Sequence, residues 1–156
     1  MNDEKVINDL AEKLESLADS KNYNLIETIN FILSFVQLNV EYVSDNLTKG
    51  CIEYWRFPVE TLVDKQGDCE DSSVLFASII NILDYDTALL FYIWEEDDEQ
   101  IGHLAVGIHL TGNHGHFEKD KNGKKYFYCE TASNTFYEFG RLPPEIKVDP
   151  KDIIHI

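Results

Sequence analysis

The spacing of apolar residues changes near residue 86, and this change constrains the fold more than any other feature of the sequence. Before it, apolar residues recur at steps of three and four, as on the buried face of an α-helix. After it, they alternate with other residues, as in a strand that is covered on one face. Helices followed by strands in hairpins, rather than alternating units, predict an α+β fold with an antiparallel sheet.

The first part of the chain is predicted to contain three helices. Residues 2–19 and 25–38 form the first two, and the second is apolar nearly all round, which places it in the core. The third should begin at Gly67–Asp68, where Asp68 is a suitable N-cap and Asp71 stands at the capping-box position. Residues 40–66 read as mostly irregular, and Asp84–Asp86 should end the third helix.

The second part is predicted to form strands at residues 87–94, 104–110 and 126–131, with a candidate fourth strand at 135–139. Glu95–Glu99 would be an acidic tip, residues 111–123 a loop, and Pro143–Pro144 a turn before the tail. The sequence has no repeat and no linker-like tract. We therefore expect one domain over residues 1–156, with an N-terminal helical part (1–39), a core (40–144) and a tail (145–156).

The acidic balance excludes several classes of protein. Asp and Glu number 29 against 13 Lys and Arg, so the formal net charge is −16. Binding to phosphates requires a basic face, so we expect neither a nucleic-acid partner nor docking on anionic lipid. The longest run without Asp, Glu, Lys, Arg or His, residues 28–40, is too short and too polar for a membrane span. An apolar share of 44% argues against disorder.

The first residues lack the basic-then-apolar layout of a signal peptide. This predicts a cytoplasmic location, or an extracellular one if the sequence is a piece of a longer exported protein. Three cysteines are too few and too far apart for a disulfide scaffold, which favours a reducing compartment. Of these, Cys51 and Cys129 fit best as small buried residues.

Two segments could be considered as metal sites. His114 and His116 are followed by Glu118, and Glu95–Glu99 is a run of five acidic residues. Neither has the spacing of a zinc or an EF-hand site, and runs of this kind are usually solvated. We therefore expect no metal and no cofactor.

Cys69 carries the strongest chemical signal in the sequence. At the first turn of the third helix, its thiolate would face unpaired backbone N–H groups and the positive end of the helix dipole, which lower a thiol pKa. The neighbouring anions Asp68, Glu70 and Asp71 act in the opposite direction. A cation close to the sulfur, such as an imidazolium, would therefore be needed to hold the thiolate.

His103 is the best candidate for that cation. It follows Gly102, which permits close approach, at the predicted start of a strand. On spacing alone, a surface or capping histidine is the more common interpretation. Glu130 ends a later strand and could orient the imidazole as the third member of a thiol triad, or be an ordinary solvated carboxylate.

Several segments together resemble the transglutaminase-like superfamily of papain-type folds. Phe57–Leu62 and Gly67–Ser73 match its P-x-E-T-L and G-D-C-E-D-x-[ST] segments. Gly102–Val106 is similar to its G-H-x-x-V strand, and Tyr128–Ala132 to its acidic segment, where this chain has Glu for the usual Asp. The resemblance runs from about Val40 to about Pro144 and is greatest to small bacterial and archaeal transglutaminase-like cysteine proteinases.

The resemblance implies a nucleophile helix packed on an antiparallel sheet. It implies Cys69 as the nucleophile, His103 as the general base and acid, and Glu130 as the orienting acid, with Asn134 as a fallback. The implied reaction is acyl transfer through a thioester on Cys69, with a peptidase or amidase acting on a peptide or protein substrate as the favoured form. A cross-linking transglutaminase and an inactive protein-binding module are the alternatives.

An oxyanion would also need hydrogen-bond donors. The backbone N–H of Cys69, at the helix start, is one natural donor. Gln66 and Trp55 are candidates for a second donor or for a wall of the cleft. For Trp55 and its neighbour Tyr54, however, a place among the core aromatic residues is the interpretation that we favour.

Overall fold

The computed structural model describes residues 3–43, 54–133 and 135–156 and has the predicted α+β architecture. Four helices are described: α1 (Asp3–Ser20), α2 (Leu25–Asn39), α3 (Pro58–Asp64) and α4 (Cys69–Ile82). The strands are β1 (Glu41–Tyr42), β2 (Gln66–Gly67), β3 (Thr87–Glu96), β4 (Glu99–Ile108), β5 (Phe117–Lys119), β6 (Lys125–Cys129) and β7 (Asp152–His155). Among the described helices, none combines the length and the apolar character that a bilayer crossing requires.

A five-stranded antiparallel sheet, in the order β5-β6-β4-β3-β7, forms the second layer of the structure. Its longest pairing is the β3–β4 hairpin, in which Thr87 lies opposite Ile108 and Glu96 opposite Glu99. Asp97 and Asp98 make the turn, both with positive φ, as two-residue hairpin turns require. The short strands β1 and β2 form a separate parallel pair just before α4.

The two faces of the sheet are buried in different ways. The helices cover one face, where the main core joins α1, α2 and α4 to β4 and β6. On the other face, a smaller core holds three fully buried tyrosines, Tyr92, Tyr126 and Tyr128. Tyr126 crosses over Gly107, where an added Cβ would lie 2.7 Å from the tyrosine Cβ, and its hydroxyl reaches His155 on β7. We call this side the tyrosine face.

The three predicted helices are confirmed to within a residue or two of their predicted ends, but residues 40–66 are not simply irregular. They contain α3, which begins with Pro58 in the first turn, where its missing N–H costs nothing. The Glu60 carboxylate accepts the Phe57 backbone N–H at 2.9 Å and so caps the helix start. This helix is too short to show a convincing apolar period.

Several strand predictions are wrong in position. The strand predicted at 104–110 begins at Glu99, so His103 lies within β4 rather than at its start. The predicted loop at 111–123 contains β5, and the tail contains β7. Residues 135–139 form no strand, because side chains of α2 bind this backbone: Gln37 bonds both the N–H and C=O of Tyr137, and Asn30 accepts the N–H of Phe139.

A buried ion pair fixes the start of α4. The Asp71 carboxylate accepts hydrogen bonds from the Arg56 guanidinium and, at 2.9 Å, from the Arg56 backbone N–H. The two side chains are 1% and 0% exposed. Asp71 also accepts the Asp68 backbone N–H at 3.3 Å, as the predicted capping position implies. Gly67 leaves room for it, because an added Cβ there would lie 2.7 Å from that of Asp71.

We expect Asp71→Ala to lower the free energy of unfolding by about 3–5 kcal/mol, because it removes the buried carboxylate that binds the Arg56 guanidinium, whose contact with Asp64 is longer, at 3.7 Å. Urea denaturation followed by circular dichroism measures the change. Asp9→Ala is the control, since Asp9 pairs with Lys5 on the exposed surface of α1 and its loss should be hard to detect. Equal effects of the two substitutions would contradict the anchoring role of Asp71.

Candidate active site

The first turn of α4 brings Cys69 against strand β4. Ser73, one turn further along the helix, donates a 3.0 Å hydrogen bond to the backbone oxygen of Leu104. A backbone hydrogen bond from Leu104 also reaches the Cys69 sulfur. The start of the helix is therefore tied to Leu104 at two points, the thiol itself and Ser73. Cys129, in contrast, is fully buried in the core, as predicted, and Cys51 lies outside the described residues.

His103, Glu130 and Tyr128 form one hydrogen-bonded group on the tyrosine face. The Nε2 atom of His103 lies 3.1 Å from Oε2 of Glu130, and the Tyr128 hydroxyl donates to the same carboxylate oxygen at 2.7 Å. The backbone N–H of Ala132 binds the other oxygen, Oε1, at 2.9 Å. Both oxygens of the carboxylate are thus held, which fixes a side chain one methylene longer than the usual Asp.

The Glu130 carboxylate stays ionised although it is buried. Burial by itself would raise its pKa, but the hydrogen bond and charge of His103 outweigh this effect, helped by the bonds from Tyr128 and Ala132, and the net pKa is lowered. A carboxylate that accepts several hydrogen bonds favours its charged form. The site therefore contains a fixed negative charge behind the imidazole.

Cys69 and His103 line the same cleft, which has a volume of about 300 Å³ and also exposes Glu130. Because Nε2 of His103 faces Glu130, the other ring nitrogen, Nδ1, is left for a reacting group. The hydrogen bond of the thiol goes instead to Oε2 of Glu70, at 2.9 Å. The structure therefore places the proposed nucleophile and base in one cleft without a hydrogen bond between them.

The Cys69 thiol is protonated in this arrangement. Burial raises its pKa most, the adjacent Glu70 raises it further through its charge and its hydrogen bond, and Asp68 adds a smaller effect. The bond from Leu104 lowers it, but not enough to compensate. The tension predicted from the acidic flanking residues is therefore real, except that Asp71 pairs with Arg56 instead of facing the sulfur.

The other predicted site residues have mixed outcomes. Trp55 and Tyr54 are not core aromatic residues: they are 64% and 37% exposed, and Trp55 walls a second cleft beside Cys69. Gln66 lies in β2 and lines neither of the clefts that contain Cys69. Asn134 lies outside the described residues. Sequence reasoning missed Tyr128, although its position two residues before Glu130 places both side chains on one face of the strand.

The histidines and acidic residues considered as metal ligands have other contacts. His114 is bonded to the backbone oxygen of Thr111, at 2.8 Å, and His116 to the Glu118 carboxylate, at 2.9 Å. Glu95–Glu99 forms the exposed end of the β3–β4 hairpin. Within the described ranges, no three His, Cys, Asp or Glu side chains are grouped so that they could hold a metal ion.

Comparisons with known proteins agree with this architecture. A family model described as a transglutaminase-like domain matches residues 5–117. The structure of EGTA-treated LapG from Legionella pneumophila is similar with a TM-score of 0.54 and 17% identity, over 97% of this chain and 78% of that one. A second LapG structure gives 0.52 and 17%, over 97% and 81%. At this identity the similarity shows the fold alone. No curated protein matches the chain.

We expect Glu70→Gln to speed the alkylation of Cys69 by iodoacetamide at pH 7 by about tenfold, equivalent to ~1.4 kcal/mol. The substitution removes the charge that holds the proton on sulfur, so the pKa of Cys69 falls and the thiolate fraction rises. Mass spectrometry of digested protein follows Cys69 separately from the other cysteines. Glu95→Gln at the hairpin tip is the control; an equal acceleration there would contradict a local role for Glu70.

We expect Tyr128→Phe to raise the pKa of Glu130, because the charged carboxylate loses one of its hydrogen-bond donors. Carbon-13 NMR titration of labelled Glu side chains measures this value. Tyr92→Phe is a matched control on the same face, since the Tyr92 hydroxyl donates to Glu118 and not to Glu130. Equal changes in the pKa of Glu130 in the two variants would contradict the role of Tyr128 in holding this carboxylate.

Proposed function

The chain belongs to the family of transglutaminase-like domains, and from this premise we propose that it is a cysteine-dependent acyl-transfer enzyme that acts as a peptidase or amidase. Membership of the family supports a thiol-dependent enzyme. The observation that carries the proposal is a single cleft lined by Cys69, at the start of a helix, and by an imidazole held by a buried carboxylate. The roles follow as Cys69 the nucleophile, His103 the base and acid, and Glu130 the orienting group.

In the first step, Nδ1 of His103 removes the thiol proton as the sulfur attacks the carbonyl carbon of an amide. Before the reaction the thiol is protonated and donates a hydrogen bond to Glu70. The imidazole therefore acts as a general base during the attack, and no thiolate–imidazolium ion pair forms beforehand. The C–N bond then breaks, His103 returns the proton to the leaving amine, and a thioester on Cys69 remains.

Glu130 and Tyr128 act through the imidazole. The Glu130 carboxylate accepts the Nε2–H of His103, which keeps Nδ1 free of a proton before attack and favours the imidazolium after it. Tyr128 and the Ala132 N–H hold that carboxylate in position. Tyr128 is therefore a positioning residue.

The oxyanion of the tetrahedral intermediate has a natural donor at the start of α4. Cys69 is the first residue of the helix, so its backbone N–H belongs to the set that has no partner within the helix. Such a group is fixed before the reaction and meets the positive end of the helix dipole. In the second step, water activated by His103 hydrolyses the thioester and releases the acid.

The test compares wild type with Cys69→Ala and His103→Ala. Each protein is incubated with a library of peptides, and products are read by mass spectrometry. Cleavage or deamidation that requires both residues is the expected result, with a loss of about a thousandfold or more in either variant, as for other residues that act as a unit. His155→Ala, an exposed histidine on β7, is the control that should retain activity.

Other outcomes would contradict the proposal in distinct ways. Cross-linked peptides that require Cys69 would identify a transglutaminase, in which an amine rather than water resolves the thioester. The absence of any product that depends on Cys69, together with alkylation of Cys69 by iodoacetamide at a rate unchanged by His103→Ala, would favour an inactive binding module.

A further inference from the structure

Strand β4 has an edge that the sheet only partly uses. It runs from Glu99 to Ile108, but β6 pairs with it only from Val106 to Ile108. The remainder of that edge, toward the hairpin tip, runs past Cys69 and includes the exposed residue Gly102. This stretch of a central strand therefore has a neighbouring strand, β3, on one side only.

The hydrogen-bond pattern shows which way the backbone of this stretch points. The oxygen of Leu104 accepts from Ser73, and Leu104 also bonds to the Cys69 sulfur, so both of its groups point away from β3. Across the hairpin, the residue opposite Leu104 is Phe91, whose oxygen accepts from Lys151 on the far side of β3. At this pair, β3 and β4 therefore direct their backbone N–H and C=O groups away from each other.

Alternate residues of an antiparallel strand point their backbone groups in the same direction. Gly102, two residues before Leu104, therefore directs its N–H and its C=O to the same open side. Within the described part of the chain, no hydrogen bond occupies either group. An unpaired N–H and C=O pair on an exposed strand edge is a template for a further strand.

A largely apolar cleft of about 650 Å³ lies beside this edge, on the helix side of the sheet, next to the start of α4. Its apolar lining includes Phe91 and Ile93 of β3, Ile154 of β7 and Trp55, and its polar lining includes Glu70 and Gln100. Trp55 and Ile154 are 64% and 44% exposed and line one cleft with Phe91 and Ile93, and such a contiguous apolar surface is typical of an interaction site. Cys69 borders both this cleft and the one that contains Glu130.

Gly102 connects the edge to the cleft. A side chain at position 102 would lie on the same face of β4 as that of Leu104. An added Cβ there would meet only Phe91, at 3.9 Å. A larger residue here would therefore be accepted by the fold but would project into the apolar cleft. The φ angle of Gly102 is not in the left-handed region, so the backbone conformation does not require glycine at this position.

From these observations we propose that the substrate is an extended polypeptide segment that adds to the Gly102 edge of β4 as a further strand and places an apolar side chain in the cleft walled by Trp55 and Ile154. Backbone pairing would align the segment, and the side chain in the cleft would select it, as in other complexes formed by strand addition. The register carries the next part of the segment past Leu104 to Cys69. This inference rests on the proposed role of Cys69 as the nucleophile.

The test uses acetylated tripeptidyl chloromethyl ketones, in which the Cys69 sulfur displaces chloride and forms a thioether. Each position carries Leu or Asp in turn, and each peptide nitrogen is methylated in turn. Iodoacetamide, which is too small to need the edge, gives the reference rate. The measured quantity is the ratio of the ketone rate to the iodoacetamide rate.

We expect Gly102→Pro to lower this ratio at least tenfold, because proline removes the outward N–H and fills the edge but breaks no bond to β3. Gly102→Ala is the milder second variant, which should reduce the rate of the Leu probes by narrowing the cleft. In wild type, N-methylation should slow the reaction at one nitrogen, and Leu should be preferred over Asp at one position. Trp55→Ala should reduce that preference, whereas Leu38→Ala, on an exposed part of α2, should not.

Unchanged ratios in both Gly102 variants, or no preference between Leu and Asp probes at any position, would overturn the inference. So would a wild-type protein that reacts with iodoacetamide but with none of the ketones. These results are distinct from failure of the proposed chemistry, which would appear as iodoacetamide alkylation of Cys69 that does not depend on His103.

Discussion

The buried contact between Asp71 and Arg56 is the interaction on which the site depends. It fastens the first turn of α4 to the segment before α3, and it needs Gly67, because the Asp71 side chain folds back into the space where a Cβ would stand. It also removes one of the three flanking anions from the field at the Cys69 sulfur. A single carboxylate thus sets both the position of the proposed nucleophile and part of its electrostatic environment, which explains why glycine and acidic residues occur together around a thiol.

Local signals predicted the parts of the structure that local interactions determine. The period of apolar residues gave three helices, and Gly67–Asp68 gave the start of α4. Residues 135–139 resemble a strand in composition, but Gln37 and Asn30, about a hundred positions away, bind their backbone, and no short-range pattern contains that information. The two-residue spacing of Tyr128 and Glu130 puts both side chains on one face, but only the pairing of β4 with β6 makes this the face that His103 shares, so the sequence alone did not indicate Tyr128. Trp55 was misjudged because apolar character indicates a core residue unless the fold leaves an open cleft.

The acidity of the chain acquires a local meaning at Cys69. Burial raises the pKa of the thiol most, and Glu70 and Asp68 raise it further, whereas the contact with His103 lowers the pKa of Glu130. A thiol with a raised pKa is oxidised and alkylated more slowly, since the thiolate is the reactive form. In the proposed mechanism, His103 receives the proton while the substrate occupies the cleft, so the reactivity of Cys69 would depend on occupancy of the site.

Three consecutive residues of β4 contact three different parts of the site. The Leu104 backbone binds the helix start that carries Cys69, His103 projects to the tyrosine face and meets Glu130, and Gly102 exposes its backbone at the open edge. Because side chains alternate along a strand, a shift of one residue in the β3–β4 pairing would move His103 to the helix side and away from Glu130. The register is fixed by the long hairpin, by the turn at Asp97–Asp98 and by the buried tyrosines on one face. The smaller core on the tyrosine face therefore does more than stabilise the sheet, since it helps to determine on which side of β4 His103, the proposed base, lies.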